Sequence, residues 1–325
     1  MKKSTKNLII IASIFCIVGL AVCVVGVFAM GFDFTKLNTG EYEERTYEIN
    51  EDFENIVIDA SVADVNFILC DNVNATVKNY ERTDRLYYVY VKDETLYIKE
   101  NKDAKWYETI RFSFFTIGKD ETIDVYLPHT EYKNISVDTD TGDVRIPAEF
   151  TFDGIETETD TGDIQVFAKA ENISLASDTG DILAENLVAK NLSVETDTGK
   201  INVYNANIED RLEVETDTGK VHIGDVHTGS ISAESNTGDI LFEHTEVSGK
   251  LNVISDTGDI HFALSDADTI YVRTSTGDVT GTLLSEKIFT THTSTGKVRV
   301  PNSRSGGVCE IKTSTGDIEI EIENY

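Results

Sequence analysis

The stretch Ser174-Leu175-Ala176-Ser177-Asp178-Thr179-Gly180-Asp181-Ile182 decides the reading of this chain, because it recurs. Its Thr-Gly pair returns at Gly142, Gly162, Gly180, Gly199, Gly219, Gly238, Gly258, Gly277, Gly296 and Gly316, with successive spacings of 20, 18, 19, 20, 19, 20, 19, 19 and 20. Asp, Asn or Ser stands two places before each Gly. Asp or Lys follows it, and then always Val or Ile. A fixed period of about 20 residues is the signature of a solenoid, in which each repeat buries its apolar face only by stacking on its neighbours.

Working outward from the Gly, apolar and polar residues alternate, as in Leu192/Val194, Leu212/Val214 and Leu251/Val253 before it and Ile182, Ile201 and Val221 after it. Period two means strands with one buried face, and no helical period appears in this region. Each repeat therefore reads as strand, tight corner, strand and variable loop. The Gly is expected to supply a positive φ at the corner, and the Asp, Asn or Ser two places earlier to bond the turn backbone. Three places before Gly runs a column of Thr or Ser only (Thr139, Thr159, Ser177, Thr196, Thr216, Ser235, Ser255, Thr274, Thr293 and Thr313). It is expected to point inward as a hydroxyl ladder, each member bonding its neighbour or the corner backbone. The class is all-β: a solenoid of about ten to fourteen coils, right-handed by the general crossover bias.

Ahead of the repeats the organisation changes twice. Residues 1–7 are basic through Lys2, Lys3 and Lys6. Residues 8–32 carry no charge, and as a helix would span ~37 Å, enough to cross a bilayer. A cleaved secretory signal has a shorter apolar core, and Val22 is too bulky for the small residue that precedes a lipoprotein Cys such as Cys23 would be. The run reads as an uncleaved, single-pass anchor. Lysines precede it and Asp33, Glu41, Glu43 and Glu44 follow it, so the N-terminus is expected in the cytoplasm and the body outside. Residues 33–48 are then juxtamembrane and residues 49–325 a single ectodomain, with an irregular first section at 49–134 and the ten regular repeats at 135–325.

The first section contains Ser61-Val62-Ala63-Asp64-Val65, a degenerate corner with Ala63 in the place of Gly. It also gathers aromatics: Tyr87, Tyr88, Tyr90, Tyr97, Trp106, Tyr107, Phe112, Phe114, Phe115 and Tyr126. A cap whose core is filled with rings is the plainer expectation for them, and a sticky binding platform the sharper one.

The repeats, the lead-in Ile56-Val57-Ile58-Asp59-Ala60-Ser61-Val62-Ala63-Asp64-Val65 and the phrase Thr122-Ile123-Asp124-Val125-Tyr126-Leu127-Pro128 together resemble the bacterial "putative adhesin" domain family of unknown function. The resemblance covers about residues 50–325. It implies a β-solenoid at the cell envelope and brings no catalytic residues with it.

Charge excludes one function class. With 28 basic and 58 acidic residues the net charge is −30, which repels a phosphate backbone and leaves no place for nucleic acid. Two isolated body cysteines, Cys70 and Cys309, make neither a disulfide framework nor a zinc site, and both are expected as small buried apolar residues. Calcium is the strongest ligand candidate. Asp138, Asp140 and Asp143 resemble a calcium loop, and Asp160/Asp163, Asp178/Asp181 and Asp256/Asp259 repeat part of it. Lysines at 200, 220 and 297 and serines at 275, 294 and 314 break the pattern, so solvated turn aspartates are the expectation and no cofactor is assigned. No acidic pair or His cluster stands out for catalysis; His222 and His261 share a column two coils apart, too far to share a metal. Four places before Gly, an outward column reads Asp138, Glu158, Ala176, Glu195, Glu215, Glu234, Ile254, Arg273, His292 and Lys312, turning from acidic to basic along the chain. The expected function is a non-catalytic, membrane-anchored surface protein that contacts a cell-envelope or host-surface component. The alternatives are an envelope-stress or signalling accessory partnering another membrane protein, and a glycan-active β-helix enzyme.

Overall fold

The computed structural model describes residues 18–19, 42–83, 85–101 and 121–323. Contacts divide the chain into two units, and the larger one, residues 44–81, 85–101 and 121 onward, holds the repeats. The anchor expected at 8–32 lies outside the described residues apart from 18 and 19. Among the described residues no helix is long and apolar enough to cross a membrane.

The larger unit is an all-β solenoid of about nine turns, the number delimited by the ten corner glycines. Like stacks on like. Ile135, Ile155, Ile173, Leu192, Leu212, Ile231, Leu251 and Ile270 pair in parallel register along one strand column. Val144, Ile164, Ile182, Ile201, Val221, Ile240, Ile260 and Val279 do so just past the corner. All sixteen are at most 3% exposed. Burying each contributes about 1.5–3 kcal/mol, and that sum holds the coils together.

The corner glycines answer to a stricter demand than φ. A Cβ on Gly180 or Gly199 would sit 1.9 Å from the carbonyl oxygen of the preceding corner glycine, and one on Gly219 only 1.6 Å from that of Gly199. Left-handed φ values of 145–158° occur at Gly142, Gly238, Gly258, Gly277, Gly296 and Gly316, but the close approach is common to all ten. The hydroxyl column lies within this contact. Ser177, Thr196 and Thr313 donate to the corner carbonyl of the adjacent coil at 3.1–3.2 Å. The hydroxyls bond corner backbone, not one another, while those of Thr216, Ser235 and Ser255 are buried without a partner.

The first section is fewer coils than expected, because part of it reverses direction. Its strands are β1 (Tyr42–Glu48), β2 (Asn55–Val62), β3 (Asp64–Cys70), β4 (Thr76–Arg82), β5 (Tyr87–Lys92), β6 (Thr95–Glu100) and β7 (Thr122–Pro128). The β2–β3 corner at Ala63 is the degenerate repeat read from the sequence: Ala63 N–H donates to Thr141 O at 2.9 Å, and Val65 N–H to Asp143 O at 2.8 Å. Beyond it β6 and β7 continue the stack in parallel, and β5 and β4 close it by pairing antiparallel to them. The core described here is mainly aliphatic, built from Ile56, Ile58, Val65, Val77, Leu96, Ile98, Ile123, Val125 and Leu127, with Phe67, Tyr87 and Tyr132 also buried in it. Of the rings expected to fill it, Tyr87 is buried, Tyr88 and Tyr90 are exposed, and Tyr97 and Tyr126 are half-buried. Trp106, Tyr107, Phe112, Phe114 and Phe115 lie outside the described residues.

At the far end the coils leave sequence order. The Gly277 coil is followed in space by the Gly316 coil, and only then by the Gly296 coil: Ile270 pairs with Cys309 and Cys309 with Phe289, while Val279 pairs with Ile318 and Ile318 with Val298. The C-terminal coil is thus threaded between its two predecessors. The passage is Gly306-Gly307. A Cβ on Gly306 (φ 97°) would lie 1.7 Å from Glu286 O, and one on Gly307 1.8 Å from Asp268 O. Side-chain polarity explains the order. At one inward position most coils bear Val, Leu, Ile or Ala; the Gly316 coil bears Ile311, 0% exposed, and the Gly296 coil bears Thr291. The more apolar coil takes the covered place.

Candidate functional site

The nine aspartates proposed as calcium candidates fall into three columns. Asp138 belongs to the outward column of the strand before the corner. Asp140, Asp160, Asp178 and Asp256 are exposed at the corner itself. Asp143, Asp163, Asp181 and Asp259 stand one place after Gly, and their carboxylates are engaged. The Asp163 N–H donates to Asp143 Oδ1, Asp181 N–H to Asp163 Oδ1, and Lys200 N–H to Asp181 Oδ1, each at 2.8 Å. The ladder begins at Asp64 and, after the lysines, resumes from Asp239 through Asp259, Asp278 and Asp317 to Lys297. Each carboxylate caps a backbone donor of the next coil, a charge-assisted bond. The ladder ends at Lys297, beyond which no further coil lies among the described residues. Among the described residues no three His, Cys, Asp or Glu side chains converge as a metal would require.

A hydrogen-bonded line that the sequence did not reveal crosses three coils. Tyr204 hydroxyl meets His222 Nδ1 at 2.5 Å, and His222 Nε2 meets Glu243 Oε2 at 3.2 Å. The neutral His tautomer protonated on Nε2 satisfies both contacts. Register places the three together, since Tyr204 aligns with Gly224 and Gly224 with Glu243. Gly224 leaves room for the ring, as a Cβ there would lie 2.8 Å from Tyr204 Cδ1. Burial, then Glu243 and Glu185, raise the phenol pKa. The signal was a missing side chain, which alternation alone does not reveal. His222 and His261 lie in one column with Leu241 between them.

The outward column is continuous, running from Asp59 through Asp138 and Glu158 to Ala176 and Glu195, then Glu215, Glu234, Ile254, Arg273, Lys312 and His292. Threading reverses its last two members. Partial burial, then the neighbouring Glu195 and Glu234, hold the Glu215 carboxyl above its usual range.

At the near end, polar and aromatic groups concentrate on the first section. Glu81 and Glu121 are buried. Arg45 Nε lies 3.2 Å from Glu81, and Arg85 spans Glu121 at 3.3 Å and Glu100 at 3.5 Å. Outside this cluster the β5–β6 hairpin presents rings to solvent. Tyr90 stacks on Tyr97 with centroids 5.2 Å apart, Lys99 Nζ stands 5.0 Å from the Tyr97 centroid, and Tyr88 is 54% exposed. Of the cysteines, Cys309 is fully buried, with its thiol pushed up to about 12 by burial, whereas Cys70 is only half-buried.

A family described as Toastrack DUF4097 matches residues 53–321. No curated protein matches the chain. Among solved structures, a Bacteroides fragilis protein described as a putative adhesin aligns at 17% identity, covering 86% of this chain and 97% of its own, with a TM-score of 0.40. A Parabacteroides distasonis protein described as a putative lipid binding protein aligns at 15% identity over 86% and 97%, with a TM-score of 0.48. A Clostridium sporogenes protein described as a putative cell adhesion protein aligns at 12% identity over 88% and 100%, with a TM-score of 0.22.

Proposed function

We propose that this chain, which belongs to the Toastrack DUF4097 family, is a non-catalytic interaction module held at the cell membrane by residues 8–32, with its N-terminus in the cytoplasm and its right-handed solenoid outside. The observation that carries the interaction reading is the solvent-facing tyrosine group on β5–β6. Tyr88 and Tyr90 are 54% and 43% exposed, while Leu96 and Ile98 of the paired strand β6 are buried. Large amphipathic rings held rigid by strand pairing and stacking give contact area at little entropic cost, which suits a binding surface. The anchor rests on the uncharged run at 8–32 between lysines and carboxylates. Calcium has no part in this reading: the carboxylates one place after the corner Gly, those of Asp143 and Asp163 among them, accept from backbone donors of the next coil.

The test is capture of the full-length chain on the organism's own cell walls and on foreign surfaces, with calcium and with chelator, beside a Tyr88→Ala/Tyr90→Ala variant. Saturable binding that the variant loses supports the reading, and binding to foreign surfaces identifies adhesion. No binding to any surface would sink it and favour the accessory of another membrane protein.

A further inference from the structure

Threading the C-terminal coil makes the Gly296 coil the tip of the stack, and that coil differs from its neighbours in charge. Residues 284–306 carry Lys287, Lys297, Arg299 and Arg304 against Glu286 alone. Residues 307–323 carry Lys312 against Glu310, Asp317, Glu319, Glu321 and Glu323. In sequence order an acidic coil would end the stack. The swap puts Lys297 and Arg304 there as exposed cations, while Lys287 is buried on Asp266 and Arg299 pairs with Glu319, on a chain of net charge −30.

The tip is also open. Among the described residues the strand Lys287–Thr295 pairs on one side only, with Gly307–Thr315, and Val298–Arg299 pairs only with Ile318–Ile322. Val298 is 43% exposed although its counterparts in the coils below, Ile318 and Val279, are buried. An unpaired strand edge is a template for another strand. The covered side of this same coil shows which strand suits it. Ile318-Glu319-Ile320-Glu321-Ile322 alternates apolar and acidic residues, sets Ile318 beside Val298, and places Glu319 3.1 Å from Arg299.

We propose that the free edge of the Gly296 coil is a β-augmentation site for an extended acidic peptide segment of a partner protein, with alternating apolar and carboxylate side chains. Apolar residues of the guest cover Val298 and its inward neighbours, and its carboxylates meet Lys297 and Arg304. A second copy docking tip to tip is disfavoured, since it opposes cation to cation. The inference rests on the interaction-module reading and names a partner chemistry for it.

The probe is a fluorescein-labelled peptide, Gly-Asp-Ile-Glu-Ile-Glu-Ile-Glu, and a control in which lysine replaces each glutamate. Titrated with the full-length chain at low salt, the acidic peptide is expected to give saturable anisotropy, weakened about tenfold or more by 0.5 M salt or by Lys297→Glu/Arg304→Glu. Both positions are on the exposed tip, so the variant is expected to keep its melting temperature. Absence of saturable binding, equal binding of the lysine peptide, or unchanged binding by the variant would each overturn the proposal. A dimer in sedimentation that the same variant abolishes would also overturn it, by giving the edge to a second copy. Loss of peptide binding alongside intact cell-surface capture would remove this site and leave the interaction reading standing.

Discussion

The two ends of the solenoid solve one problem in different ways. At the near end, beyond the Ala63 corner, the stack is closed by reversing strand direction, so that β4 and β5 cover β7 and β6. At the far end direction never changes. The chain changes the order of its coils, and the more polar one becomes the lid. The near end therefore finishes on antiparallel strands, while the far end keeps a parallel edge that carries cations, a two-residue strand and Pro301. The difference teaches that a repeat protein does not need a separate cap; a weak repeat displaced outward serves.

The largest expected effect breaks the regular stack between the ends. Gly199→Ala forces a Cβ to 1.9 Å from Gly180 O, and the backbone there cannot yield without moving two coils. Thermal melting should show destabilisation of about 4 kcal/mol or more, whereas Ala63→Gly at the near end should cost about 1 kcal/mol or less. At the far end, Lys287 Nζ is buried against Asp266 Oδ1 at 2.6 Å. Asp266→Ala leaves that ammonium without its carboxylate and should cost about 3 kcal/mol by denaturant titration. Gly307→Ala pushes against Asp268 O and should release the threaded coil, which hydrogen exchange would register as lost protection confined to residues 287–323. Smaller effects separate ladder from tip. Asp163→Ala removes the acceptor of the Asp181 N–H and should cost about 1 kcal/mol, while Lys297→Ala should be within about 0.5 kcal/mol of neutral.

The smallest effect is pH-dependent. The folded state holds the Glu215 carboxyl above its ordinary pKa, so the folded chain binds that proton more tightly than the unfolded chain. Its contribution is fully present below the unfolded pKa and falls as pH rises through the folded one. Glu215→Gln should raise the melting temperature slightly at neutral pH and leave it unchanged in acid below the carboxylate range; a drop at neutral pH would assign the column a stabilising role instead.

Much of this was legible in the residues. Alternation on either side of Gly180, in residues such as Leu175 and Ile182, marked the buried face, and Ala63 was recognisable as a corner from its flanking valines. The coil order was not legible, because it depends on a comparison between two complete coils, Thr291 against Ile311, and on the Gly306-Gly307 passage, which reads locally as an ordinary loop. The ladder of Asp143, Asp163 and Asp181 looked like cation chemistry because a carboxylate facing a backbone N–H one coil away leaves no mark along the chain. For the same reason Tyr204, His222 and Glu243, about 20 residues apart in sequence, meet only through register.

The threaded coil also imposes a schedule. A chain that folds as it emerges, N-terminus first, can add each coil to the last until it reaches Gly277, and must then hold residues 287–300 in waiting until residues 307–323 have arrived beneath them. The cationic tip comes into being only once residues 307–323 are in place, so whatever meets that edge meets a chain that has already threaded them.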